Sequence, residues 1–471
     1  ILGGPEVSYE PDFFIRNWEV DYIISGEGEF VLGDLLDAIS GGKSTLITGV
    51  SSKDHINKSI AQADVNRLAT LPSPYALDED RDDLCNRLMY FETSRGCPYQ
   101  CQYCLSSLEK GVRYFPQSFI MDNLSYIINS EARLIKFLDR TFNLNKGHTN
   151  MVFDFLLKNH RPNLSCQFEI YADLLTDEVI SYLNENLPKD FFRFEIGIQS
   201  THEPTNIAVR RKQNFPLLAS NIEKIMADGK IDLHLDLIAG LPHETFDLFV
   251  KSFNDVFCLR AKEVQLGFLK MLRGTNLRLY ADKYGYEYAE DAPYEIICNN
   301  DISQTELERI HEGEHALEKF WNSGRFTRTM NILFQKHYKE RYFQLFDEIG
   351  QFYKQHNLPH HGYQLEDLFR YLQSFLESRG IDIFPALRDD YYSNFNRRPQ
   401  GFWEDDLGKQ KRKQLLYQIG QDKEFLKHHG LNRKIIEKQA TVDPLSDNTI
   451  LLTIFPKEKI DSIQQVEYLI P

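Results

Sequence analysis

Cysteine is scarce in this chain, with seven in 471 residues. The number is odd, and no charged-apolar-small leader segment opens the sequence. Both facts exclude a disulfide-stapled secreted framework and point to a reducing, cytoplasmic protein. Positive charge is also in deficit: 54 Lys and Arg stand against 69 Asp and Glu, a net charge of −15. A general nucleic-acid binder needs a basic surface to neutralise phosphates, so that class is disfavoured. Apolar runs stay well short of the roughly 18 to 20 residues that a membrane span requires. An initiating methionine is missing as well. The chain begins "ILGGPEV" and is therefore processed or the later part of a longer one, so any upstream signal lies outside it. No solenoid repeat or low-complexity tract is present.

What is there is enough to build a large core. At 42% hydrophobic content, a chain of this length divides into two or three domains. The first 75 residues give two short apolar strands, "ILGGP" and "VDYIISGEGE", and a helix "FVLGDLLDAIS" closed by Gly41 and Gly42. About thirty irregular residues follow, up to Pro72 and Pro74. From 76 to 298, strands alternate with helical stretches: "RLMYFET", "LIKFLD", "CQFEIYA", "FRFEIGIQ", "DLHLDLIAG" and "EVQLGFLK". Six such units predict a parallel α/β sheet with right-handed crossovers, curled into a partial (β/α)6 barrel. In such folds chemistry collects at the C-terminal strand ends, and polar residues cluster there in this sequence. Residues 299–471 predict a mostly helical C-terminal domain. It includes a capping box at Ser303 and Glu306 and two late strands, but offers no catalytic constellation. The basic run "GKQKRKQ" at 408–414 is read as a solvated helix face.

Three of the seven cysteines crowd one loop, "FETSRGCPYQCQYCLSS", as Cys97, Cys101 and Cys104. Thiolates this close point to a metal site. Zinc is one reading, but it needs a fourth ligand, and no partner pair at similar spacing is evident. A four-iron cluster is the other: three thiolates leave one iron with an open position for a small molecule. The remaining cysteines are scattered. Cys166 and Cys258 are expected to be structural, behaving as small hydrophobes.

The C-x3-C-x2-C spacing, with Tyr103 just before the third cysteine, resembles the radical S-adenosylmethionine (SAM) superfamily, the more so at the end of the first strand of a six-unit pattern. The resemblance implies a 4Fe-4S cluster on Cys97, Cys101 and Cys104. Its open iron would chelate SAM, and one-electron reduction would cleave SAM to methionine and a 5′-deoxyadenosyl radical. "DLIAGLPHE", with Gly240 and Glu244, resembles the fifth-strand segment that shapes the adenosine pocket. "FEIGIQS", with Arg211 and Asp236, resembles the coproporphyrinogen-oxidase-like and cobalamin-linked branches. By that resemblance Tyr103, Glu169, Gln199, Arg211 and Asp236 belong to the cofactor pocket, with Arg211 pairing the carboxylate of SAM. The glycine-glycine-glutamate segment usual after the second strand is replaced by "LDRTFN", which the cobalamin-linked branch often carries.

The opening segment then resembles the tail of a cobalamin-binding, Rossmann-like domain, with Gly3 and Gly4 as the glycine pair that lets backbone approach the cofactor. The earlier strands of such a domain are not in this sequence. The expectation is therefore a longer native protein that binds cobalamin, and weak or no binding by these 471 residues. The resemblance covers residues 1–298 and implies radical chemistry, including cobalamin-dependent methylation, on a small molecule or peptide that the sequence does not specify. A flavodoxin or ferredoxin is the implied electron donor. Two alternatives stand beside it: an RNA-modifying, methylthiolating enzyme, opposed by the acidic balance, and a non-enzymatic zinc or iron–sulfur scaffold.

Overall fold

The strand whose pattern is plainest, "FRFEIGIQ", alternates strictly: Phe192, Phe194, Ile196 and Ile198 are fully buried, while Arg193, Glu195, Gly197 and Gln199 point the other way. That two-residue period sets one face of a sheet against helices and leaves the other polar. In the computed structural model, which describes residues 1–77, 83–109, 111–399, 407–446, 448–455 and 463–470, this strand lies inside a six-stranded sheet. The chain divides into two compact units, Ile1–His311 and Glu312–Pro471.

The first unit opens with a small sheet. β1 (Leu2–Gly3) pairs in parallel with β2 (Tyr22–Ile24), and β2 pairs antiparallel with β3 (Val50–Ser52). The helix Val31–Ser40 buries Leu35 and Ala38 and ends at Gly41. β3 falls within the stretch expected to be irregular. Three residues are too few for a visible alternation, and its place depends on pairing with β2.

The main sheet follows chain order: β4 (Leu88–Phe91), β5 (Leu134–Phe137), β6 (Ser165–Glu169), β7 (Phe192–Gln199), β8 (Asp232–Ala239) and β9 (Glu263–Phe268), every neighbouring pair parallel. Each crossover carries a helix whose start is often fixed by a capping side chain. Asn145 accepts from His148 N before Lys146–Lys158, Asn214 from Leu217 N before Phe215–Met226, and Thr245 from Leu248 N before Phe246–Phe257. The buried face is strongly aromatic. Phe137 stacks on Phe168 at 4.5 Å between centroids, and Phe142, Phe153, Phe192 and Phe194 complete the cluster. The opposite face carries Lys136, Glu195 and Asp236.

The second unit begins with helices, among them Tyr342–Gln355, Leu365–Ser378 and Phe384–Phe395. A later layer packs Leu415, Ile419 and Ile436 against Val442, Ile450 and Leu452 of an antiparallel sheet, Ala440–Ser446, Thr449–Ile454 and Gln464–Leu469. The two late strands expected from sequence correspond to the last two of these; Pro456 and Pro471, at their ends, lie outside the described residues. The basic residues of 408–414 lie largely exposed on the helix Gly408–Gln421. Among the described residues, no helix is long and apolar enough to cross a membrane.

Candidate functional site

A cavity of about 360 Å³ opens on the polar face of the main sheet. It gathers Cys97, Cys101, Tyr103 and Cys104 from the loop after β4 and Glu169 from the end of β6. Gln199 from the end of β7, Arg211 from the loop beyond it, and Asp236 from within β8 complete the set. These eight sequence-selected residues therefore share one space. Gly3 and Gly4 do not line it. Gly4 holds a φ of +100° at the start of the helix Pro5–Ser8, and a Cβ on Gly3 would make only ordinary contact with Ile24 O, at 3.6 Å.

The cysteine loop is pinned from several sides. Gln102 N donates to Val209 O at 2.9 Å, and Leu277 N donates to Gln102 O at 3.0 Å. Beneath it, the buried Asp139 carboxylate accepts from Thr93 N at 2.9 Å and from the hydroxyls of Thr93 and Ser94, each at 2.6 Å. This fastens the ends of β4 and β5 together just before the first cysteine. Thr141 of the same "DRTFN" segment lies 3.8 Å from Cys97 Sγ. Asn143 exchanges two hydrogen bonds with the Tyr171 backbone, at 2.7 and 2.9 Å, tying the next strand end in.

Arg211 is the central cation of the site, 9% exposed. Its Nε donates to Gln213 Oε1 at 3.0 Å, its Nη1 to the Tyr103 hydroxyl at 3.3 Å, and its Nη2 to Gly197 O. The guanidinium also sits 4.9 Å from the Tyr171 ring centroid, and Tyr171 in turn stacks on Tyr99 at 4.3 Å. A Cβ at Gly197 would run into the Gln199 amide, so glycine there makes room for that side chain. Gln199 itself adopts a φ of +69°, a left-handed conformation that a non-glycine residue holds only at a cost. Its Oε1, like the Tyr171 hydroxyl oxygen, is buried without a hydrogen-bond partner. Orphaned atoms of this kind, in a cavity, suit a polar ligand.

Burial pushes the thiols of Cys97 and Cys101 above their usual range; the Tyr99 backbone opposes it for Cys97 and the Arg211 charge for Cys101. Burial likewise raises Glu169, against the partial relief of Arg140, whose Nη1 is 3.7 Å from Glu169 Oε1. Lys136 pairs with Glu195 at 3.1 Å, and His234 Nε2 lies 2.9 Å from Asp236 Oδ1.

Glu244 is not part of the lining. It is 1% exposed and accepts from Ser200 at 2.5 Å and Ser252 at 2.9 Å, joining the loop after β7 to the helix Phe246–Phe257. Burial raises its pKa to about 7. Gly240 holds a φ of +87°, and a Cβ there would collide with Ile296. Cys166 is fully buried, whereas Cys258, expected to behave as a small hydrophobe, is exposed at a helix end, its thiol donating to Asp255 O at 3.1 Å. Periodicity placed it on a helix but did not give the face. Tyr99, Lys136, Arg140, Tyr171, Glu195 and Gln265 also line the cavity and were not selected from sequence; the alternation of β5, β7 and β9 was the signal that marks Lys136, Glu195 and Gln265.

Residues 91–256 match the radical SAM superfamily, and residues 282–466 match a protein family of unknown function, DUF4080. The chain is 32% identical over 259 residues to the uncharacterized methyltransferase PH0819 of Pyrococcus horikoshii, covering 52% of this chain and 54% of that protein. It is 24% identical over 273 residues to the cobalamin-dependent radical SAM methyltransferase TokK of Streptomyces tokunonensis, covering 54% and 39%. The chain thus spans about half or less of the length of these relatives. Among solved structures, the cobalamin-dependent SAM radical enzyme OxsB with aqua-cobalamin bound shares the fold at a TM-score of 0.55 and 14% identity, over 84% of this chain and 67% of that one. The match to the radical S-adenosylmethionine superfamily across 91–256 takes in every cavity residue selected above.

Proposed function

We propose that this protein is a radical SAM enzyme, with a 4Fe-4S cluster on Cys97, Cys101 and Cys104 and SAM in the cavity beside it. The observation that carries the reading is that the three cysteines share one cavity with Tyr103, Glu169, Gln199, Arg211 and Asp236. The donor set fits the cofactors: three thiols without a fourth clustered cysteine, an orphaned amide oxygen on Gln199, and a buried guanidinium. When bound, the cluster supplies the electron for reductive cleavage of SAM. The chain's own part is to hold and enclose. Arg211 uses three donors to fix Tyr103, Gln213 and Gly197, leaving two of its five N–H groups for a carboxylate. Gln199 offers its oxygen to an amino group or hydroxyl, and the Tyr99–Tyr171 stack gives the cavity an aromatic wall. The sequential parallel sheet is read as a partial (β/α)6 barrel with this cavity at its mouth.

Cobalamin-dependent methylation is the reaction class we favour, following the printed names of TokK and OxsB. A second cavity, of about 340 Å³, joins Pro5, Tyr9 and Glu27 to the cysteine loop at Ser106 and shares Ser106 and Arg140 with the first. It suits a methyl carrier placed within reach of SAM. Residues 1–75 are read as part of a cobalamin-binding domain, and a flavodoxin or ferredoxin as the electron donor in the cytoplasm. Anaerobic reconstitution, dithionite reduction and chromatography for 5′-deoxyadenosine test the enzyme. Replacing all three cysteines by Ala is expected to remove both the iron and this product; iron retained by the triple variant would defeat the assignment. Titration with hydroxocobalamin tests the carrier separately, and an unchanged cofactor spectrum would remove it.

A further inference from the structure

The second unit holds a cavity of its own, about 570 Å³, lined among others by Glu314, His315, Lys319, Arg325, His360 and Tyr363. Its chemistry is set by two cations. Lys319 is only 8% exposed, yet the hydrogen bond its ammonium makes is to the carbonyl of His315, one turn back, at 3.3 Å. No carboxylate pairs with it among the described residues. Two aromatic rings flank it, with Nζ 5.8 Å from the Tyr353 ring centroid and 5.9 Å from that of Tyr363. Burial accordingly lowers its pKa. Arg325 is half-buried, and among the described residues its guanidinium has neither a hydrogen-bond nor an ion-pair partner.

Lys319 stands in a π-helical turn, Glu318–Asn322, a widened geometry that recurs at functional sites. Across the cavity, His360 leaves Nδ1 buried and unpartnered, while its Nε2 is 3.3 Å from Glu312. The His315 and His360 rings approach to 4.3 Å. Glu314, Glu312 and Glu318 act on Lys319 from a distance without pairing with it, and the first of them is pushed up to about 7 by burial, so near neutral pH part of its compensating charge is lost. An ammonium enclosed without a paired anion is costly, and a bound oxyanion removes that cost. A metal ion is the poorer occupant of this cavity: Lys319 and Arg325 repel it, and among the described residues no three His, Cys, Asp or Glu side chains gather here to hold one.

We propose that this cavity binds a small organic oxyanion, a carboxylate or a phosphate ester, gripped by Lys319 and Arg325 with His360 Nδ1 as a further hydrogen-bonding group. The site does not depend on the radical chemistry proposed above. Inorganic pyrophosphate and citrate, each titrated calorimetrically into the full chain against chloride at matched ionic strength, separate the two sources. Saturable one-site binding of either is expected. Lys319→Met should weaken it at least tenfold and Arg325→Gln at least fivefold, with bound iron unchanged in both. Should Lys319→Met fold poorly, reductive methylation of the native protein followed by peptide mass spectrometry replaces it: the binding probe should protect Lys319 and leave exposed lysines such as Lys411 reactive. Binding no stronger than chloride for both probes, undiminished affinity in Arg325→Gln, or no protection of Lys319 would each overturn the proposal.

Discussion

Glu244 links the pH dependence of stability to the geometry of the site. Its carboxyl is buried, with a pKa raised from 4.5 to about 7 by loss of solvent, against two serine hydrogen bonds that favour the charged form. Above about pH 4.5 the unfolded chain releases a proton that the folded chain keeps, so the folded state is stabilised least at high pH. The contribution is complete below about 4.5, falls as pH rises, and levels off above about 7. Over that interval, at ~1.4 kcal/mol per decade, the loss amounts to about 3 kcal/mol. Ser200, the partner of Glu244, follows Gln199 directly and also accepts from His202 N at 3.0 Å, while its carbonyl accepts from Gln213 at 2.7 Å. Glu244 is thus tied, through Ser200, to the segment that carries Gln199 and to Gln213, a partner of Arg211. Urea unfolding of the wild type and of Glu244→Gln between about pH 5.5 and 8.5, followed through the first unit, measures the effect. The wild type should lose about 2 kcal/mol over that range and the Gln variant should lose correspondingly less. Parallel pH profiles for the two proteins would refute the reasoning.

Arg211→Lys keeps the charge but not the planar fork; we expect SAM affinity to fall by about 1.5–3 kcal/mol in anaerobic calorimetry, with bound iron retained. Gly240→Ala forces an L side chain into a φ of +87° and against Ile296; a loss of about 1–3 kcal/mol is expected in thermal unfolding. Adding Ile296→Val to Gly240→Ala, which trims the colliding end, should recover part of that loss and no more.

The parallel strands were legible because they are buried on one face and polar on the other, so that "FRFEIGIQ" could be bounded at Phe192 and Gln199 from its alternation alone. The cysteine loop was legible because three thiols in eight positions have few structural uses. Arg211 was harder. It sits among three neighbouring cations in the run "VRRKQ" and is the one of the three enclosed by Tyr103, Tyr171 and Gly197. Nothing local distinguishes it from Arg210; only the fold brings the partners, which lie 108 and 14 positions away for Tyr103 and Gly197. Tyr171 was missed for the same reason, since its stacking partner Tyr99 comes from a different strand end.

Net charge is limited in a related way. A total of −15 describes the solvated surface, where most carboxylates lie, and so argues against a phosphate-coating surface. It carries no information about interior sites, where one cation without a counter-ion outweighs many screened surface charges. Arg211 in the first unit and Lys319 in the second are both such cations, 9% and 8% exposed. Arg211 spends most of its donors on oxygens of the protein, and Lys319 has a single carbonyl. The difference in internal satisfaction separates their roles: Arg211 is built to hold the walls of its cavity as well as a ligand, whereas Lys319 has nearly all of its hydrogen-bonding capacity still to give. The second cavity should therefore be the more sensitive of the two to added oxyanions and the less sensitive to loss of its cation in the absence of ligand, an ordering that the Arg211→Met and Lys319→Met variants measure side by side in thermal unfolding.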